Sequence, residues 1–125
     1  MIWLVALGGA LGSVSRFLLG PAIHRALGFT FPFGTLFINI IGSLILGVVV
    51  GLAVDGGTVS PQARAFLAIG FCGGFTTFSA FSFETFTLLE GGQLGRAGAY
   101  VAASVLLSVT AAWLGLLAAR QLLPR

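Results

Sequence analysis

Charged residues are scarce in this chain, which has 125 residues, six of them basic and three acidic. They make up 7% of the sequence and hydrophobic residues 58%, whereas about a quarter of an ordinary soluble domain is charged. Lysine is absent, so the net charge of +3 comes from scattered arginines and a shortage of acids rather than from a basic patch. This composition excludes a water-soluble fold, and we expect no nucleic-acid partner.

Cysteine and histidine occur once each, as Cys72 and His24. One of each is too few for an internal disulfide, a multi-cysteine metal site or a histidine pair. The sequence also shows no grouping of nucleophile, base and orienting residue, which makes an enzyme the least expected class. The apolar residues 1–15 lack a basic leader, so we expect a retained membrane span rather than a cleaved signal.

Four apolar segments, the first with Arg16 near its end, are each long enough to cross a bilayer, which needs about 20 helical residues. The sequence therefore predicts an all-α integral membrane protein with one four-span domain over residues 1–125. The expected spans are residues 2–19, 32–54, 61–89 and 95–119. Short connections rich in turn-forming residues predict an up-and-down order.

Arginines are divided almost evenly between the two sides of the predicted membrane domain. One side has Arg64, Arg120 and Arg125; the other has Arg25 and Arg96, with Arg16 close by. Because the orientation of a membrane protein follows the positive charge of its short loops, this nearly even distribution favours neither orientation strongly. We expect insertion both ways up, which allows an antiparallel, dual-topology homodimer.

Glycine pairs at G-x-x-x-G spacing occur in three of the spans, as Gly8/Gly12, Gly47/Gly51 and Gly70/Gly74. Small residues at this spacing let membrane helices approach closely. We interpret all three pairs as ordinary helix packing.

The third span carries adjacent glycines and adjacent threonines near its middle, in the segment GFCGGFTTFSAFSFE at residues 70–84. Glycine costs about 1 kcal/mol relative to alanine in a helix interior, and threonine adds a smaller penalty. Two structures fit this composition equally well: a continuous helix packed through Gly73 and Gly74, or a break capped by Thr76 or Thr77. A break would present carbonyl groups, which suit a cation, and amide groups, which suit an anion, near the bilayer midplane.

Polar residues recur at every fourth position of two other spans, so each set shares one helical face. The sets are Thr35, Asn39 and Ser43 in the second span, and Tyr100, Ser104 and Ser108 in the fourth. Phe78 and Phe81, three residues apart, share a face of the third span. Taken singly, such residues usually hold helices together or fill space. Together they favour a narrow pathway of neutral donors and aromatic ring edges, which suits an anion.

Three segments resemble the Fluc/CrcB family of fluoride channels: GGALGSVSRF at residues 8–17, FPFGTLFINIIGS at 31–43, and the segment at 70–84. The resemblance covers essentially the whole chain. It implies an antiparallel homodimer in the prokaryotic inner membrane whose two pores pass fluoride passively out of the cytoplasm. On this basis we take the third span to be interrupted near its middle.

The resemblance also implies roles for individual residues. The ring edges of Phe78 and Phe81 would meet fluoride, and Asn39 would lie beside them as an amide donor. The polar track along each pore would consist of Thr35, Tyr100, Ser104, Ser108 and Glu84. Backbone carbonyls of Gly73 and Thr76 from both subunits would bind a central, structural sodium ion. Arg16 would lie near the aqueous entrance, and Ala80 departs from the hydroxyl residue that some relatives have between the two phenylalanines.

Two other kinds of membrane protein compete with this interpretation. A small multidrug-resistance exporter has a similar length and dimer, but it needs an acid in its first span, and residues 1–19 contain none. Glu84, near the end of the third span, would have to take that role instead. The other alternative is a subunit of a membrane assembly, in which the glycines and polar residues only hold helices together and nothing crosses.

Overall fold

The computed structural model describes residues 1–124 as helices joined by short connections. Within this range, four helices are long and apolar enough to cross a membrane: Ile2–Leu27, Phe33–Val54, Pro61–Glu90 and Leu94–Leu122. The third of them consists of Pro61–Arg64, the π-helical Ala65–Cys72, Gly73–Phe75 and, after a break, Phe78–Glu90. We call residues 61–75 and 78–90 the first and second halves of the third span. The predicted all-α, four-span architecture is confirmed.

The first helix is longer than the sequence predicted, because it continues past Leu19 to Leu27. Pro21 lies inside it. Proline removes one helical hydrogen bond, but membrane helices tolerate this loss when neighbouring groups compensate for it. The helix ends at Gly28, whose φ of +106° favours glycine. The first connection is therefore residues 28–32, which is shorter than the stretch between the predicted spans 2–19 and 32–54.

Glycines allow close contact within two pairs of spans, the first with the third and the second with the fourth. A Cβ on Gly12 of the first span would meet the Phe71 carbonyl and, at 2.8 Å, the Phe75 amide nitrogen. A Cβ on Gly47 of the second span would meet the backbone of Ala112 in the fourth. Since backbone atoms obstruct each position, the helices cannot make room by rotating side chains. The G-x-x-x-G glycines therefore serve close packing, as predicted.

The third span is interrupted at Thr76 and Thr77, whose backbones are both extended. Of the two structures that the sequence left open, the chain adopts the interrupted one. The Thr77 hydroxyl caps the second half by accepting a hydrogen bond from the Ala80 amide at 3.1 Å. Thr76 instead donates its hydroxyl to the Cys72 carbonyl at 2.8 Å.

Candidate functional site

Side chains from the first two spans supply hydrogen bonds at the break. Asn39 Oδ1 accepts from the Thr77 backbone N–H at 2.8 Å, and Asn39 Nδ2 donates to the Thr77 carbonyl at 3.1 Å. Arg16 Nε donates to the Gly74 carbonyl at 3.2 Å. Because unpaired backbone groups are expensive inside a membrane, these contacts stabilise the interruption.

A cavity of about 390 Å³, the phenylalanine cavity, lies beside the break between the second, third and fourth spans. Its lining includes Asn39, Phe78, Phe81, Ser104 and Ser108. Gly73 and Thr76, the residues of the predicted cation site, border the same cavity. The structure thus brings together residues from three spans that the sequence analysis had connected only through periodicity and resemblance.

The phenylalanine cavity contains two hydroxyl groups whose hydrogen-bonding capacity is unused. Ser104 Oγ and Ser108 Oγ are buried, and neither has a partner within residues 1–124. A buried hydroxyl without a hydrogen bond is unfavourable, so such groups are usually satisfied by a partner or a ligand. Both hydroxyls are therefore available as neutral donors to a bound ion.

A second cavity of about 370 Å³, the arginine cavity, lies between the first, second and third spans. Arg16 and Glu84 both line it. The Glu84 carboxylate accepts hydrogen bonds from Thr35 Oγ1 at 2.7 Å and from the Tyr100 hydroxyl at 2.6 Å. The Tyr100 ring in turn packs against Phe81, with centroids 5.2 Å apart. These contacts, which we call the Glu84 network, connect the arginine cavity to the phenylalanine cavity.

Of the predicted cation-binding carbonyls, that of Gly73 lies at the end of the first half and that of Thr76 lies in the break, and their surroundings fit that role. Among residues 1–124, tertiary and turn hydrogen bonds use the carbonyls of Cys72 and Gly74 but not those of Gly73 and Thr76. Within the same range no group of three His, Cys, Asp or Glu side chains is placed to hold a metal. Backbone oxygens are the donors that hard cations accept, so the two free carbonyls are suitable ligands.

Arg16 lies closer to the break than the sequence analysis expected, because its guanidinium contacts Gly74 as well as lining the arginine cavity. Gly42 is a residue that the sequence analysis did not single out. A Cβ at this position would meet the methyl group of Thr76, so Gly42 lets the second span approach the break. Gly42 could have been identified from the sequence, because it lies three residues after Asn39 and so shares a helical face with it.

Residues 3–116 match the protein family described as CrcB-like protein, Camphor Resistance (CrcB). The chain belongs to the CrcB family. The resemblance drawn from the sequence is confirmed, and the chain is a multi-pass membrane protein rather than an enzyme.

Several curated relatives of the chain are named as ion channels. The chain is 51% identical to "Fluoride-specific ion channel FluC 1" of Nitrobacter hamburgensis over 118 residues, and these residues cover 94% of each chain. It is 49% identical over 112 residues to the "Fluoride-specific ion channel FluC" of Thermus thermophilus, covering 90% of this chain and 89% of the relative. The protein of the same name from Geobacter sulfurreducens is 46% identical over 118 residues, which is 94% of this chain and 95% of the relative.

Proposed function

We propose that this chain is a passive, fluoride-selective channel that exports fluoride from the microbial cytoplasm and so protects it from accumulated fluoride. The observation that carries the proposal is the phenylalanine cavity, where Phe78 and Phe81 lie beside the amide of Asn39 and two unpartnered serine hydroxyls. The relatives named as fluoride-specific ion channels supply the identity of the ion.

The chemistry of the phenylalanine cavity suits an anion that must bind and then leave. Within the described part of the chain, no charged side chain lines it. Aromatic ring edges carry partial positive charge, and hydroxyl and amide hydrogens are neutral donors. A site of this kind replaces part of the ion's hydration without holding it as tightly as a fixed positive charge would.

The proposed route joins the arginine cavity to the phenylalanine cavity through the Glu84 network. Arg16 raises the local concentration of anions at the first cavity by long-range attraction. Thr35 and Tyr100 donate their hydroxyls to the Glu84 carboxylate, which fixes the position of this side chain beside the route. Together with Ser104 and Ser108 these residues form the proposed polar track.

A second copy of the chain, in the opposite orientation, is the proposed partner. The second half of the third span has no buried residue, and Phe78 is 78% exposed in the protomer. Lipid cannot satisfy the hydroxyls of Ser104 and Ser108, so a protein surface is the better cover for this cavity. An antiparallel two-fold axis would give each subunit the same contacts and thus two equivalent pores.

A structural sodium ion at the centre of the dimer is part of the proposal. The carbonyl oxygens of Gly73 and Thr76 from both subunits would hold it. When bound, the ion would neutralise carbonyl dipoles that converge at the two breaks. It would be structural rather than transported.

Fluoride efflux from liposomes that contain the purified protein tests the proposed function. We expect rapid fluoride release, read with a fluoride electrode, and little chloride release from matched vesicles. Phe78→Ile and Phe81→Ile should each abolish most of the fluoride flux while the dimer still assembles. Phe86→Ile is the matched control, because Phe86 is a half-exposed ring of the same helix that does not line the phenylalanine cavity. No fluoride release from demonstrably folded dimers would refute the channel assignment.

A further inference from the structure

Asn39 uses half of its hydrogen-bonding capacity on the backbone of one residue, Thr77. Its Oδ1 accepts from the Thr77 N–H at 2.8 Å and its Nδ2 donates to the Thr77 carbonyl at 3.1 Å. Both distances are normal for N–H···O hydrogen bonds. A carboxamide has two N–H donors and an oxygen that can accept two hydrogen bonds, so one N–H and one oxygen lone pair remain for other partners.

The same two bonds fix the orientation of the Asn39 amide. The Thr77 N–H can only donate and the Thr77 carbonyl can only accept. Exchanging Oδ1 and Nδ2 would therefore place donor against donor and acceptor against acceptor. The amide cannot turn its oxygen toward the phenylalanine cavity without losing both bonds.

Phe78 directly follows Thr77 and has little else to hold it within the protomer. Its side chain is 78% exposed, and the ring of Phe81 lies at a centroid distance of 5.4 Å. The Thr77 hydroxyl also stabilises the first turn of the second half of the third span, because it accepts a hydrogen bond from the Ala80 amide. Within the protomer, the position of the Phe78 ring therefore depends on the Thr77 backbone more than on side-chain packing.

We propose that Asn39 is a positioning residue, whose carboxamide clamps the Thr77 backbone and thereby sets where the rings of Phe78 and Phe81 lie. The inference deepens the proposed function and rests on it for the part that the rings play in conduction. The position of the Phe78 ring itself can be measured without any ion flow.

The test places 4-fluorophenylalanine at position 78 of the full-length protein and records its ¹⁹F NMR resonance. Asn39→Ala removes both clamp bonds. The α-hydroxy analogue of threonine at position 77 replaces the Thr77 N–H with an ester oxygen, so it removes one clamp bond and leaves the Asn39 side chain unaltered. It also makes the Thr76 carbonyl an ester carbonyl, which is a weaker acceptor, so an effect of the ester that persists in the Asn39→Ala background is assigned to Thr76 and not to the clamp. We expect both changes to shift or broaden the resonance at position 78. The same label at Phe75, which is buried in the first half, is the matched control and should stay unchanged.

Fluoride efflux from the same proteins gives the second measurement. We expect each change to lower the flux, by about tenfold for Asn39→Ala. When Asn39→Ala is already present, the ester should lower the flux no further, because the bond between Asn39 and the Thr77 N–H is already lost. If the ester changes neither the Phe78 resonance nor the flux while Asn39→Ala abolishes flux, Asn39 acts on the anion directly and the clamp is wrong. A resonance shift at Phe75 as large as that at Phe78 would also overturn the proposed clamp, since it would show that the change perturbs the whole region and not the Phe78 ring specifically.

The two proposals fail in different ways. If the unaltered protein conducts no fluoride, the proposed function is wrong, and the ¹⁹F comparison still decides the clamp. If Asn39→Ala does not fold, the ester protein decides it alone.

Discussion

Replacing Tyr100 with phenylalanine removes one oxygen atom from the Glu84 network and leaves the ring in place. The Tyr100 side chain is 0% exposed, and its hydroxyl donates to Glu84 Oε2 at 2.6 Å. Its ring lies 5.5 Å from that of Phe31 and 5.2 Å from that of Phe81. Phenylalanine fills the same space and keeps both ring contacts, so any effect of Tyr100→Phe comes from the hydroxyl.

The expected loss of stability follows from the partners that Glu84 keeps. A hydrogen bond to a charged group contributes about 1.5–3 kcal/mol. Glu84 retains the bond from Thr35 at 2.7 Å and borders the arginine cavity, which makes the lower value, about 1.5 kcal/mol, the expected one. Thr35→Val removes the bond to the other carboxylate oxygen and should destabilise by a similar amount. The double variant should lose more than the sum of the two, because it deprives the carboxylate of both donors.

Equilibrium unfolding in mixed micelles measures this loss, and liposome efflux measures its effect on transport. Thr85→Val is the matched control, because the Thr85 hydroxyl donates to the Phe81 carbonyl of its own helix at 2.8 Å and takes no part in the network. It should change stability by less than about 0.5 kcal/mol and leave fluoride efflux unaltered. Tyr100→Phe should lower both stability and efflux. A Tyr100→Phe protein as stable and as conductive as the unaltered one would refute the role of the network.

Three further predictions concern packing, surface charge and the proposed ion. Gly12→Ala should destabilise the fold by about 1–3 kcal/mol in the same unfolding assay, because its methyl group would overlap a backbone carbonyl of the third span. Gly98→Ala is the control and should be neutral or stabilising, because no atom lies within 4 Å of the added methyl group. The Asp55–Arg120 ion pair of 2.7 Å is exposed, so Arg120→Gln should change stability by less than about 1 kcal/mol, and this difference should disappear in high salt. Exchanging sodium for a bulky organic cation should weaken the dimer or its flux, and unchanged assembly and flux after exhaustive exchange would count against the ion.

The number and extent of the spans could be predicted because membrane insertion depends on local composition. Apolar segments of sufficient length located all four spans, and three of the spans begin and end within three residues of the predicted positions. The first span was predicted too short because Gly20 and Pro21 are typical of turns in water. In an apolar helix flanked by other helices the same residues are tolerated, and the chain ends the helix at Gly28 instead.

The break in the third span could not be decided from its own sequence, because its hydrogen-bond partners lie elsewhere in the chain. Asn39 is 38 residues from Thr77, and Arg16 is 58 residues from Gly74. Local propensity made the helix weak at this point but did not say whether anything would replace the lost backbone bonds. Likewise, periodicity placed Ser104 and Ser108 on one face, but only the tertiary structure shows that this face borders a cavity.

An interrupted helix gives this membrane domain something that a continuous one cannot, namely two helix ends of opposite polarity inside the bilayer. The first half ends with its carbonyl groups beside Arg16, and the free carbonyls of Gly73 and Thr76 lie at the same end. The second half, which has 13 residues, begins at Phe78 with its amide groups beside the phenylalanine cavity. Since helix ends carry partial charges of about −0.5 and +0.5, one break attracts a cation on one side and an anion on the other. The proposed anion site would therefore need no charged residue of its own, since the amide end of the second half would supply positive potential at Phe78.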